Sequence, residues 1–87
     1  MNECTILFFA TLKDRAGTRK TSLILPDQVT VYALKNILVE RFPTLKSVIS
    51  HALVAINHEY AQDEELIPPA AEIALFPPVS GGSPITA

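Results

Sequence analysis

Few residues of this chain have the type and spacing to do chemistry. Its single cysteine, Cys4, has no second thiol to pair with, and a small buried apolar side chain beside a strand is a stronger reading than a reactive thiol. No Cys and His residues recur at the spacing that a structural zinc ion needs, so no metal site is expected. His58 follows Asn57 at a turn signal, and no acid, nucleophile or metal partner is identifiable beside it. It reads as a solvated turn histidine in preference to a general base. The run Asp63-Glu64-Glu65 could meet a basic partner surface, but a solvated loop is the more frequent meaning of such a run. What remains is Gly81-Gly82, preceded by Pro77-Pro78-Val79-Ser80. Taken alone, a glycine pair near a chain end is an ordinary flexible terminus.

The elements that would position these residues must come from one domain, because 87 residues leave no room for a second core. With 48% hydrophobic and 18% charged residues, the chain has more apolar material than an average globular domain. Some apolar side chains are therefore expected outside the core, facing a partner. The net charge of -2 and isoelectric point near 5.5 supply no basic footprint, so nucleic acid is not an expected partner. Met1-Asn2-Glu3-Cys4 lacks a basic leader region, and no apolar run approaches the roughly 18 residues of a membrane span. A cytoplasmic protein is expected, in a reducing compartment given the unpaired cysteine.

Residues 5–9 are β-branched, apolar and aromatic, and read as a largely buried strand closed off by Ala16-Gly17-Thr18, with a reversal at Gly17. Residues 21–25 form a second strand ending at Pro26-Asp27, able to pair with the first as a hairpin. The spacing predicts a helix of about 18 Å over residues 31–42. Thr30 is its N-cap, Val29 and Leu34 are placed for a hydrophobic staple, and Pro43 stops it. Val31, Leu34, Leu38 and Phe42 form its packing face, Tyr32 and Ile37 widen the stripe, and Lys35 and Glu40 are expected to lie away from it. A helical turn within residues 44–50, a strand at 53–56, a turn at Asn57-His58, a short segment at Glu59-Tyr60 and a last strand at 73–76 complete the pattern. Pro77-Pro78 must leave the sheet, since neither residue can donate a ladder hydrogen bond. There is no internal repeat. The expected class is α+β, a mixed sheet with one main helix packed on one face.

Three segments carry a family resemblance: residues 6–10, residues 53–57 and above all Ile73-Ala74-Leu75-Phe76-Pro77-Pro78-Val79-Ser80-Gly81-Gly82. Over residues 3–82 the chain resembles the MoaD family, the small subunit of molybdopterin synthase. The resemblance implies a ubiquitin-like β-grasp fold, with a carrier domain over residues 1–82 whose flexible tail starts near residue 77. It also implies a sulfur carrier with no active site of its own, acting as the small subunit of a sulfurtransferase complex in molybdenum cofactor biosynthesis. In that family an adenylating activating enzyme uses ATP on the terminal glycine carboxylate, here Gly82. Sulfur from a donor then replaces AMP to give a thiocarboxylate, and the large synthase subunit directs the sulfur onto a cyclic pterin precursor. No cofactor is expected on the chain itself. Phe9, Tyr60 and Phe76 match positions that form an apolar patch against the large subunit and the activating enzyme, with core packing as the competing explanation for each. Lys13 matches a position whose positive charge can pair with the activating enzyme, and a solvated loop lysine is an equally good reading. A carrier for thiamine, cysteine or another sulfur product, and a ubiquitin-like modifier of protein lysines, are the alternatives that use the same kind of glycine terminus.

The implied chemistry explains the tail's composition. An α-carboxyl group has a pKa near 3.5, so at neutral pH it is an anion and a poor electrophile, and it needs activation. Six residues from Pro77 to Gly82 extend at most about 20 Å, enough to reach enclosed sites on two enzymes. Gly81 and Gly82, lacking Cβ atoms, admit close walls and unusual dihedrals, and the prolines reduce the entropy lost when the tail is immobilised.

Five residues, Ser83-Pro84-Ile85-Thr86-Ala87, follow Gly82, whereas members of the family ordinarily end at the second glycine. An amide at Gly82 cannot be adenylated as a carboxylate can, so cleavage after Gly82 is expected to precede activity. A processed pro-tail, a cloning scar and the stub of a fusion are each compatible with these five residues.

Overall fold

The computed structural model describes residues 2–78. β1 (Asn2–Phe8) runs into a short helix α1 (Thr11–Ala16), and β2 (Lys20–Leu25) returns antiparallel to β1. The main helix α2 (Val31–Arg41) is followed by a 3₁₀ turn (Pro43–Leu45), a single turn α3 (Lys46–Ile49) and the strands β3 (Leu53–Ile56), β4 (Glu59–Ala61) and β5 (Glu72–Phe76). The sheet order is β2-β1-β5-β3-β4, with β1 and β5 parallel and every other neighbouring pair antiparallel. This mixed sheet with its crossing helix is the β-grasp arrangement that the resemblance implies.

Alternation along the strands puts Cys4, Ile6 and Phe8 of β1, Leu23 and Leu25 of β2, Val54 of β3 and Ile73 and Leu75 of β5 on the buried face. They share one core with Val31, Leu34 and Leu38 of α2 and with Leu12, Leu45 and Ile49 of the short helical pieces. Phe8 meets Phe42 edge to face, with ring centroids 5.4 Å apart. Cys4 is buried in this core, as its sequence position suggests.

The N–H groups of Val31, Tyr32 and Ala33 have no partner within α2, and each finds one outside its ladder. Val31 and Tyr32 donate to the carbonyls of Glu65 and Asp63, both at 3.0 Å. Ala33 donates to the Thr30 hydroxyl at 3.1 Å. Leu34 then makes the first bond of the helical ladder, to the Thr30 carbonyl at 2.9 Å. The N-cap is where the sequence puts it. The loop carrying Asp63 and Glu65 is thus bound to the helix start by backbone hydrogen bonds.

Three expectations are corrected. The connection between β1 and β2 is not a bare reversal at Gly17, because α1 fills it. Gly17 ends that helix in the left-handed region, at φ 78°. Lys35 does not lie away from the packing face and is only 7% exposed. It follows Val31 by four residues, so helical geometry puts it on Val31's own face. Its alkyl stem packs there and its Nζ reaches Asp63 Oδ1 at 2.9 Å. Tyr32 does not widen the stripe: it stands about 100° around the helix from Val31 and is 61% exposed.

Candidate docking face

Among the described residues, the second face of the sheet carries no helix. Cross-strand register puts Leu7 beside Ala74, Ala74 beside Ala55 and Ala55 beside Tyr60, and it puts Phe76 opposite Leu53. Residues directly opposite share a face. Leu7, Leu53, Phe76 and Tyr60 therefore form one apolar field across β1, β5, β3 and β4, with small alanines at its centre.

Phe9 joins this field by way of a sharp turn. Its N–H donates to the Leu75 carbonyl at 3.1 Å, carrying the β1–β5 ladder one residue beyond β1. Its own carbonyl accepts from Leu12 N–H at 3.1 Å. Between the two, Ala10 takes φ 54° and ψ -128°, a region that favours glycine. The chain therefore turns into α1 at once and leaves the Phe9 ring on the open side. That ring stacks on Phe76, with centroids 4.7 Å apart and planes 12° apart. Phe9 is 41% exposed and Phe76 half-buried. Neither belongs to the core cluster.

Tyr60 is 74% exposed on β4, the edge strand. β3 and β4 meet in a two-residue turn in which Asn57 and His58 both have positive φ, at 50° and 76°, as the turn signal implies. His58 lies on the surface, 3.2 Å from Glu72 Oε1. Asn57 Oδ1 accepts from Glu72 N–H at 2.9 Å. Lys13, on α1, is exposed and lines a recess with Leu7, Phe9, Arg19 and Lys20. The structure thus brings Phe9 and Phe76 into contact. It places Lys13 beside Phe9, and puts Tyr60 two strands away from Phe76 on the same face.

Phe76 is the last residue of β5, and Pro77 and Pro78 follow it directly, the first half-buried and the second exposed. Val79, Ser80, Gly81 and Gly82, with the extension 83–87, lie outside the described residues. Among the described residues no group of three or more His, Cys, Asp and Glu could hold a metal ion, and no helix is long and apolar enough to cross a membrane. The chemical capacity of the face is the burial of apolar and aromatic surface against a partner.

Leu7, Leu53, Ala55 and Ala74 belong to this face although the sequence did not single them out. The available signal was period-two alternation. In residues 53–56 and 73–76 both faces carry apolar side chains, so alternation there does not separate a core residue from an exposed one.

A five-stranded mixed sheet with its helix on one face and an aromatic field on the other defines a ubiquitin-like β-grasp protein. The profile of the ThiS family matches residues 6–82, and the chain belongs to that family. Curated relatives include a molybdopterin synthase sulfur carrier subunit from Arabidopsis thaliana, 34% identical over 92% of this chain and 83% of the relative. Another, from Dictyostelium discoideum, is 37% identical over 93% of this chain and 98% of the relative. The resemblance read from the strand-and-tail string agrees with both. Among solved structures, the small archaeal modifier protein 1 of Haloferax volcanii superposes with a TM-score of 0.81 at 30% identity. That match covers 91% of this chain and all of the other.

Proposed function

We propose that the chain is the sulfur carrier subunit of a molybdopterin synthase, with Gly82 as its working terminus once it is freed as a carboxylate. An adenylating partner joins that carboxylate to AMP from ATP, releasing pyrophosphate. A sulfide equivalent from a donor attacks the acyl carbon, so that a C–S bond forms and the bond to AMP breaks. The large synthase subunit then receives the thiocarboxylate tail and directs its sulfur to the pterin precursor. The chain binds no cofactor of its own in this cycle.

The observation that carries this reading is the junction between Phe76 and Pro77. The last residue of β5 belongs to the apolar face, and the tail starts with the next residue, so a partner that covers Phe9, Phe76 and Tyr60 also fixes where the tail begins. The names of the curated relatives supply the pathway. The test is the intact mass of protein ending at Gly82 after incubation with the activating enzyme, ATP and a sulfide donor. The expected product is about 16 Da heavier, from sulfur replacing oxygen, and donates that sulfur only when the large subunit is present. An unchanged mass would remove the proposal.

A modifier role is the second reading, supported by the likeness to the small archaeal modifier protein. It predicts isopeptide conjugates of Gly82 with protein lysines instead of a free heavier species.

A further inference from the structure

The apolar field is flanked by opposite charges at its two ends. One register row crosses the whole open face from edge to edge, running Lys20, Leu7, Ala74, Ala55, Tyr60. At its β2 end, Lys13, Arg19 and Lys20, all exposed, surround the recess that Phe9 lines. At its β4 end, Tyr60 shares one recess with Glu59 and Glu65 and another with Asp63 and Glu64, all exposed. Asp63 is engaged by Lys35, and the Glu65 carboxylate accepts from Gln62 N–H at 2.7 Å. Glu64 and Glu65 still set the sign there, a neutral N–H leaving the Glu65 charge in place, whereas Glu59 precedes Tyr60 on β4 and alternates to the other face. The sequence separates the charges in the same way: residues 13–20 hold four of the chain's Lys and Arg residues against Asp14 alone, and residues 59–65 hold four Asp and Glu with no Lys or Arg.

Four inter-strand steps of about 4.8 Å put the two ends roughly 19 Å apart. Screening at physiological salt falls off over about 8 Å, so each end acts on the charges facing it almost independently of the other. The apolar middle buries similar surface whichever way a partner is turned about the normal to the sheet. Charge does not, and the tail reaches an enclosed site in only one orientation.

We propose that this polarity sets the docking orientation of the large synthase subunit. That subunit carries carboxylates over the Phe9 end and cations over the Tyr60 end. The inference rests on the function proposed above and adds to it the surface chemistry of the partner. The steering part of the interaction is electrostatic and acts mainly on the rate of association, while Phe76 and Phe9 hold the docked complex.

The test measures binding of protein ending at Gly82 to the large subunit at 50 and 500 mM salt. It compares wild type with a basic-end reversal (Lys13→Glu with Lys20→Glu), an acidic-end reversal (Glu64→Lys with Glu65→Lys) and the two combined. These side chains are exposed, and circular dichroism with thermal melts checks that every variant is folded. Each reversal is expected to raise Kd about tenfold at low salt, chiefly through a slower association rate, and the combination about a hundredfold. At 500 mM salt the differences should shrink to within about threefold. Folded reversals that bind like wild type at 50 mM salt, while wild type does bind, would overturn the orientation proposal and leave the carrier reading standing. Failure of wild type to bind the large subunit would overturn both. Self-association of the chain alone, abolished by either reversal, would assign the polar face to a second copy and overturn the proposed occupant.

Discussion

Phe9, one residue past β1, and Phe76, the last residue of the parallel neighbour β5, stack at 4.7 Å on the side of the sheet opposite α2. Both rings are partly exposed and both lie outside the core, so the stack is a surface feature held in place by the β1–α1 turn and by the end of β5. An aromatic pair of this kind at a surface is suited to anchoring a partner.

Phe76→Ala is expected to weaken binding to the large subunit by about 1–4 kcal/mol with little loss of fold. Titration calorimetry on the variant and on wild type measures it. A double-mutant cycle with Phe9→Ala should show coupling of about 0.5–1.5 kcal/mol, because each ring orders the other. Unfolding of Phe76→Ala would instead make Phe76 a core residue.

Tyr60→Ala should leave stability within about 0.5 kcal/mol of wild type, since most of the side chain is in water in the free protein. Its binding loss should nonetheless exceed 1 kcal/mol if the ring is covered in the complex. Chemical denaturation and binding measured on the same preparation separate the two effects.

The Lys35–Asp63 pair connects α2 to the loop that caps it, and its two partners are unequally buried. Asp63→Ala strands a buried ammonium whose other polar neighbour is the Ser50 carbonyl at 3.5 Å. A loss of about 1–3 kcal/mol is expected. Adding Lys35→Met removes the charge and keeps the packed stem, so the double variant should recover most of the loss. Urea unfolding of the three proteins provides the comparison.

Two backbone positions predict effects of opposite sign. Gly17 has φ 78° with nothing near the position of an added Cβ, so Gly17→Ala should cost about 1 kcal/mol through conformation alone. Ala10 already carries a Cβ in a glycine region, and Ala10→Gly should raise stability by about 0.5–1 kcal/mol. Thermal melts should move down for the first and up for the second.

The sequence made the scaffold readable where one residue type has one physical meaning. Thr30 before an apolar period, Pro43 behind it and the Asn57-His58 turn each fixed a boundary that the structure keeps. α1 escaped notice because six residues with Leu12 as the one buried side chain make too short a period to detect. Lys35 was misplaced by its charge, although its spacing from Val31 already put it on the buried face. The candidate docking face was only half legible. Phe9, Tyr60 and Phe76 entered through family resemblance, because strands apolar on both sides do not reveal which side is covered. The charge polarity depends on sheet order, which brings Lys20 and Tyr60 to opposite ends of one row. Local patterning does not supply that order.

The Gly82 carboxylate is the proposed working terminus, and ATP-dependent transfer of AMP to it by the cognate activating enzyme is the measurement that bears on it without intermediaries. The 87-residue polypeptide is compared with protein ending at Gly82 and with the same truncated form carrying Gly82→Ala, all checked for equal folding. Transfer is expected to the truncated protein, none to the 87-residue form, and a sharply reduced rate for Gly82→Ala. Equal transfer to the 87-residue and truncated proteins, with no cleavage visible by mass, would contradict that assignment.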